Sequence, residues 1–379
     1  MRQREPCKGR DNSWDGAEST LYWLRGSCIV MDATSSIKSK LVMDKSFKGV
    51  LEKLSNSNIS LPTSSTLVEG NIDLDSTEYL IKCIEPSEKY PLNVRNGYSV
   101  AIREGTVIAA YDESFKTYAA LEGKAVCASH SLVIVRDSDY VPISFLTLKF
   151  YTRSDGVKDK LGDAAIVADN VDHRINVDMA LDKMQLLDEY CGDNWILFID
   201  GPLVGGDSYT TFMPQIQKFL EKGIMPIFCV KNSSSNLVTQ YLPEYKGVYN
   251  SDMHWANNLL KQGERTAFFE YMDSHNSSNS KVFCYIKFLD KCSPVRVEIP
   301  TCIYRKYWSS IADCMDLTLY LILAQGNEKN AQVRPIAIAE MFARETLHLI
   351  DLNQEIRRSK LTETMNQARW GDDDLDSTQ

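Results

Sequence analysis

Residues 195–199, WILFI, are consecutively apolar and run into Asp200, where Gly201 and Pro202 end the run. So short an apolar stretch between polar and turn residues predicts a strand buried on both faces, as in the middle of an α/β sheet. Asp200 then falls at the carboxyl end of that strand, where open α/β sheets place their ligands. The segment IMPIFCVK repeats the pattern and ends in Lys231. Between the two, FMPQIQKFLEKG reads as a helix closed by Gly223. Upstream, residues 176–190 carry an apolar stripe at Val177, Leu181, Met184 and Leu187, which predicts an amphipathic helix. Asp178 and Asp182, four apart, share one face of it.

From residue 99 the pattern is strand-rich. SVAIREGTVIAAYDES predicts two strands joined at 103–105, the second (107–111) ending in Asp112. AALEGKAVCASHSLVIVRDS adds apolar runs with turn signals at Glu122 and Gly123 and at Arg136 and Asp137, and ISFLTLKFYT adds a strand. The polar run KDKLGDAAIVADNVDHR connects this region to the 176–190 helix. After Lys231, NSSSNLVTQYL opens on a Ser/Asn turn of the kind that caps a helix. KVFCYIKF and PVRVEIP predict two strands separated by the turn LDKCS. Arg296 and Glu298 point to one sheet face, which makes an in-plane salt bridge the plain reading. SSIADCMDLTLYLILAQG and RPIAIAEMFARETLHLIDLNQEIRRSK read as late helices.

The first 95 residues are less patterned. LYWLRGSCIVMDATSS suggests a strand ending at Asp32, KSFKGVLEKLSN a short amphipathic helix, and STEYLIKCI a helix or strand. WGDDDLDSTQ is an acidic tail expected to be disordered. The organisation read from the chain is an N-terminal extension over 1–95, a main α/β domain over 96–360 and a tail over 361–379.

Composition changes the picture mainly by exclusion. The 379 residues are 44% hydrophobic and 25% charged, an ordinary globular balance. The net charge of -9 argues against a protein that coats nucleic acid non-specifically, although a local basic channel is compatible with it. Ten cysteines without a C-x-x-C pair suit a reducing cytoplasm and not a zinc site. The N-terminus MRQREPCKGRDNSWDG has no apolar core, so no signal peptide is expected, and no apolar run reaches membrane-spanning length. GPLVGG lacks the GK[ST] of a P-loop, no G-x-S-x-G occurs, and the five histidines form no HExxH pair. Acids at strand ends remain, a set that suits a hard divalent ion.

Taken in order, several segments resemble the NurA nucleases, the partners of the HerA hexameric ATPase translocase, over residues 100 to 350. Asp112-Glu113-Ser114 is similar to a strand-ending Asp-Gly-Ser of that family, and FIDGPL to its second strand-ending Asp-Gly motif. VKNSSSNLV resembles its Lys-Thr/Asp-Ser segment, PVRVEIP its Arg-x-Glu-x-Pro, and RPIAIAEMFARETL its late helix. The resemblance implies a ribonuclease H-like core and a manganese-dependent (or magnesium-dependent) DNA nuclease. It also implies a homodimer docked on a HerA-like hexameric ATPase, serving DNA repair or anti-phage defence. Asp112 and Asp200 fall on the family's metal-binding aspartates. Asp178 falls on its helical acid, with Asp182 as the alternative, and Glu113 replaces a glycine and adds a further carboxylate. Lys231 would neutralise phosphate charge, Tyr285 would position phosphate or stack on a sugar or base, and Lys231 with Arg296 would face DNA. The family's late helix carries a histidine where this chain has Met341 or Phe342, His348 following two turns later. That departure supports an alternative, a catalytically weakened subunit used for assembly or DNA gripping.

Overall fold

The computed structural model describes residues 79–136, 139–203, 209–241, 245–273, 280–326 and 332–349. The first described elements are β1 (Tyr79–Cys83), β2 (Lys89–Pro91), α1 (Val94–Ala101), β3 (Ile108–Ala119), β4 (Lys124–Arg136) and β5 (Asp139–Thr152). Next come α2 (Asp155–Leu161), β6 (Ala165–Val167), α3 (Val171–Tyr190), β7 (Ile196–Asp200), α4 (Tyr209–Lys222) and β8 (Met225–Val230). The remainder are α5 (Asp252–Leu259), β9 (Glu264–Thr266), β10 (Phe269–Asp273), β11 (Ser280–Lys287), β12 (Val295–Pro300), α6 (Thr301–Lys306), α7 (Trp308–Gln325) and α8 (Arg334–His348).

The strands form one mixed sheet in the order β1-β10-β11-β12-β8-β7-β3-β4-β5-β6, with β2 and β9 paired beside β11. Its centre is the antiparallel meander β3-β4-β5 followed by β7 and β8, each parallel to its inner neighbour. Three antiparallel strands continued by two parallel ones in the order β5-β4-β3-β7-β8 make a ribonuclease H-like core, as the resemblance implies. Alternation along the strands divides the interior in two. Ile108, Ala110, Phe198, Ile227 and Cys229 pack under α7 and α8, with Met315 and Ile336 among their neighbours. Ala109, Tyr111, Leu197, Ile199 and Phe228 pack under α3 and α4, against Leu187, Phe212 and Phe219.

Several elements differ from their sequence patterns for identifiable reasons. Residues 94–101 form helix α1 and not a strand, because Asn93 caps it by accepting the Arg95 and Asn96 N–H groups. Gly97 lets α1 approach α7 closely; a Cβ there would lie 2.2 Å from the Asp316 carbonyl oxygen. Strand β3 does not end at Asp112 but continues to Ala119 against β4. Helix α3 starts at Val171, where Asn170 accepts the His173 N–H. Its buried face is Ile175, Asp178, Asp182 and Leu186, and Leu181 is exposed. The Ser/Asn turn after Lys231 caps no α-helix and is fastened to Arg296 and Asp252 instead. Strands β1 and β2 lie within 1–95 yet pair with β10 and β9, so residue 95 does not separate an extension from the sheet. Asp32, the helix expected around KSFKGVLEKLSN and the acidic tail lie outside the described residues. Among the described residues no helix is long and apolar enough to cross a membrane.

Candidate active site

Strands β3 and β7 run parallel with Tyr111 opposite Ile199, so Asp112 and Asp200 occupy the next step of the same register. Both side chains alternate onto the α8 side of the sheet, with Ala110 and Phe198. β7 stops at Asp200 because Gly201 turns the chain at φ 89, a left-handed conformation that glycine adopts without strain. The Gly201 N–H donates to the Cys229 carbonyl at 2.9 Å and keeps the turn on the sheet.

Burial, with the Asp200 charge beside it, pushes the Asp112 carboxyl from the ordinary 3.8 to about 8. Burial also raises Asp200, against the pull of Lys231. Asp200 Oδ2 lies 3.4 Å from Lys231 Nζ, whereas Oδ1 is buried and has no hydrogen-bond partner. Lys231, directly after β8, also stands 3.5 Å from Glu340 Oε2 and donates to the Gln332 side-chain carbonyl at 2.5 Å. Glu340 comes from α8. Burial pushes its carboxyl up, but the Gln332 amide at 2.8 Å, Lys231 and Arg344 outweigh that and hold it low.

Among the described residues no three His, Cys, Asp or Glu side chains lie close enough to hold a metal ion by themselves. Two adjoining carboxylates with an orphaned buried oxygen nevertheless suit magnesium or manganese, since ions of this class use one or two carboxylates and complete their shell with water and phosphate. A titration consequence follows. Asp112 binds its proton more tightly when folded, so its contribution to stability is complete below pH 3.8 and is lost as pH rises through about 8. Metal-free Asp112→Asn should therefore lose less stability than wild type over that interval in thermal melts at stepped pH. Superimposable pH profiles would remove Asp112 as the titrating group.

The structure does not bring the helical acids to this pair. α3 packs on the opposite face of the sheet. Asp178 accepts the Tyr151 hydroxyl at 3.0 Å and the Arg174 Nε–H at 3.1 Å on each oxygen. Tyr151 stands on β5, two strands away from β3. Asp182 is held by Lys149 at 2.6 Å and Thr147 at 3.2 Å, with His130 Nε2 at 3.9 Å. Both acids face inward because strand β5 supplies a cation and hydroxyls to meet them. Glu113 also turns to the α3 side and accepts the Tyr111 hydroxyl, which lies 2.6 Å from His130 Nδ1.

Two further sequence candidates are interior. Tyr285 is fully buried in β11 and donates to Asp252 at 3.2 Å, so it cannot stack on a sugar or base. Arg296 is buried, paired with Glu298 at 2.9 Å and bonded to Ser233, so it does not face DNA. The in-plane salt bridge expected for Arg296 and Glu298 is present. Lys231 does stand beside Asp200. On α8, Met341 is 42% exposed and His348 is exposed at the helix end; the residue that faces the acids is Glu340. A signal for it existed in the sequence. Ile336, Ala339, Ala343 and Leu347 make the buried stripe of α8, and Glu340 is a lone acid on its border.

The NurA domain family matches residues 107–327, more than half of the chain. No curated protein matches. Among solved structures, the chain is similar to the NurA nuclease from Sulfolobus solfataricus at 11% identity, over 68% of this chain and 86% of that one, with a TM-score of 0.44. A structure described as NurA with manganese is similar at 11% identity over 80% of this chain and 96% of that one (TM-score 0.37). An endonuclease V from Bacillus subtilis is similar at 9% identity over 64% and 81% (TM-score 0.36). On the extent of the domain match, this chain belongs to the NurA nuclease family.

Proposed function

We propose that the chain is a DNA nuclease that hydrolyses phosphodiester bonds with manganese or magnesium held by Asp112 and Asp200. The observation that carries this reading is the carboxylate pair itself, Asp112 buried and Asp200 half-buried. Two carboxylates meet at the end of β7, one driven up to about 8 and the other with an oxygen that nothing on the protein satisfies. A divalent ion bound there would supply an activated water and stabilise charge on the phosphate and leaving oxygen. The chain's own groups do the rest. Asp112, whose proton is held by burial and by the neighbouring Asp200 charge, would release it to a bound cation. Lys231 places its ammonium 3.4 Å from Asp200, where it offsets phosphate charge. Glu340 from α8 and Gln332, two residues before that helix, hold that ammonium in place.

Family membership extends the proposal to a homodimer working with a HerA-like hexameric ATPase, in DNA end processing or anti-phage defence. Cys127, Cys191, Cys229, Cys284, Cys302 and Cys314 are free thiols, which supports work in the cytoplasm. One observation favours the weakened-subunit alternative: Lys231 lies between Asp200 and Glu340, where a second cation would otherwise stand. The test is cleavage of end-labelled single- and double-stranded DNA with manganese or with chelator, with and without the ATPase. Manganese-dependent cleavage, stimulated by the ATPase, is expected. Binding of DNA and ATPase with no cleavage under any condition would select the alternative. Mass measurement should give a dimer, alone or on the ATPase ring; monomer in both samples would count against the assembly.

A further inference from the structure

Two buried side chains on β12 tie together the loops that carry Asp200 and Lys231. Glu298 lies opposite Phe228 and Arg296 opposite Val230, which turns both to the α3 and α4 side of the sheet, away from the acid pair. One Glu298 oxygen accepts the Leu203 N–H at 2.7 Å, three residues after Asp200. The other meets Lys281 at 2.6 Å and Arg296 at 2.9 Å. The Arg296 guanidinium donates in turn to the hydroxyls of Ser233 and Ser235, just after Lys231. The Ser235 carbonyl accepts the Asp252 N–H at 2.9 Å, which anchors the far side of that loop to the start of α5.

We propose that the Arg296–Glu298 pair is a positioning clamp that fixes both loops at once and so holds the Asp200 carboxylate and the Lys231 ammonium in register. Its consequence for catalysis rests on the nuclease reading above, and its mechanical coupling does not. Stability alone gives little reason for such a pair. Buried ion pairs can often be replaced by apolar residues of similar volume without loss, whereas an apolar residue cannot accept a loop N–H. Since both side chains face away from the acids, neither touches substrate there; each acts through a loop.

Coupling between the loops is the property to measure. Ser233→Ala with Ser235→Ala removes the two serine acceptors of Arg296, and the bond from Ser235 to Asp252, without touching the loop after β7. If the clamp operates, amide hydrogen exchange at Leu203, on the other loop, should speed up about tenfold or more. In the same variant kcat for DNA should fall about tenfold, with KM within about twofold, because misplaced groups cost rate more than binding. Unchanged exchange at Leu203 would overturn the clamp. Faster exchange with unchanged kcat would confine the pair to a structural role and overturn its positioning function. If wild type cleaves no DNA, the nuclease reading falls, and the exchange result alone decides whether the loops are coupled. Should the serine variant fail to fold, Lys281→Met, Arg296→Met and Glu298→Leu together remove every charge of the cluster. That variant should melt near wild type with fast exchange in both loops, and slow exchange there would overturn the proposal.

Discussion

Asp200→Asn is expected to lower DNA cleavage by about a thousandfold or more, the scale on which a preorganised charge at a reacting phosphate acts. The fold should survive. Asparagine keeps the shape of the side chain and removes a charge whose burial is unfavourable, as its raised proton affinity indicates. The lost ion pair with Lys231 is partly solvated, so its contribution is small, on the order of 1 kcal/mol or less. Melting at or above the wild-type temperature should therefore accompany the loss of activity, the usual signature of a strained functional site. A folded variant that cleaves at the wild-type rate would remove Asp200 from the chemistry.

Glu340→Gln and Asp178→Asn are expected to separate activity from stability. Glu340 faces Lys231 from α8, so its neutralisation should cut the rate about ten- to hundredfold, the cost usual for groups that support metal-site residues, with little change in melting. Asp178 should behave in the opposite way. Its carboxylate satisfies Tyr151 and Arg174 on the far face of the sheet, and asparagine leaves both poorly paired. A loss of about 1 to 3 kcal/mol of stability is expected, with near-normal cleavage by the protein that remains folded. The reverse result, an inactive but stable Asp178→Asn, would mean that α3 carries the third acid after all.

The contrast between those two acids shows what can be read from a chain of this kind. The β7 and β8 strands were legible because continuous apolar runs that end at a turn have few other structural solutions, and Asp200 and Lys231 were found with them. The placement of Asp178 and Asp182 was not legible from spacing. Asp178 and Asp182 do share a helical face, but whether that face meets the acids or the opposite side of the sheet depends on which neighbours neutralise it. Here Lys149, Thr147 and Tyr151 do so, residues on β5 about thirty positions away in sequence. The DNA and phosphate roles expected of Arg296 and Tyr285 came with the resemblance, whereas alternation gives the face a side chain points to but not what covers that face, and both are interior. Helix α1 departs from the strand pattern because so short an apolar run carries less information than the Asn93 cap and the close packing permitted by Gly97.

Anomalous X-ray scattering from crystals soaked in manganese tests most directly whether Asp112 and Asp200 form the metal centre. A peak about 2.1 Å from a carboxylate oxygen of each, with the orphaned Asp200 Oδ1 as one ligand, is the expected result. A peak elsewhere on the chain, or none at saturating manganese, would contradict it.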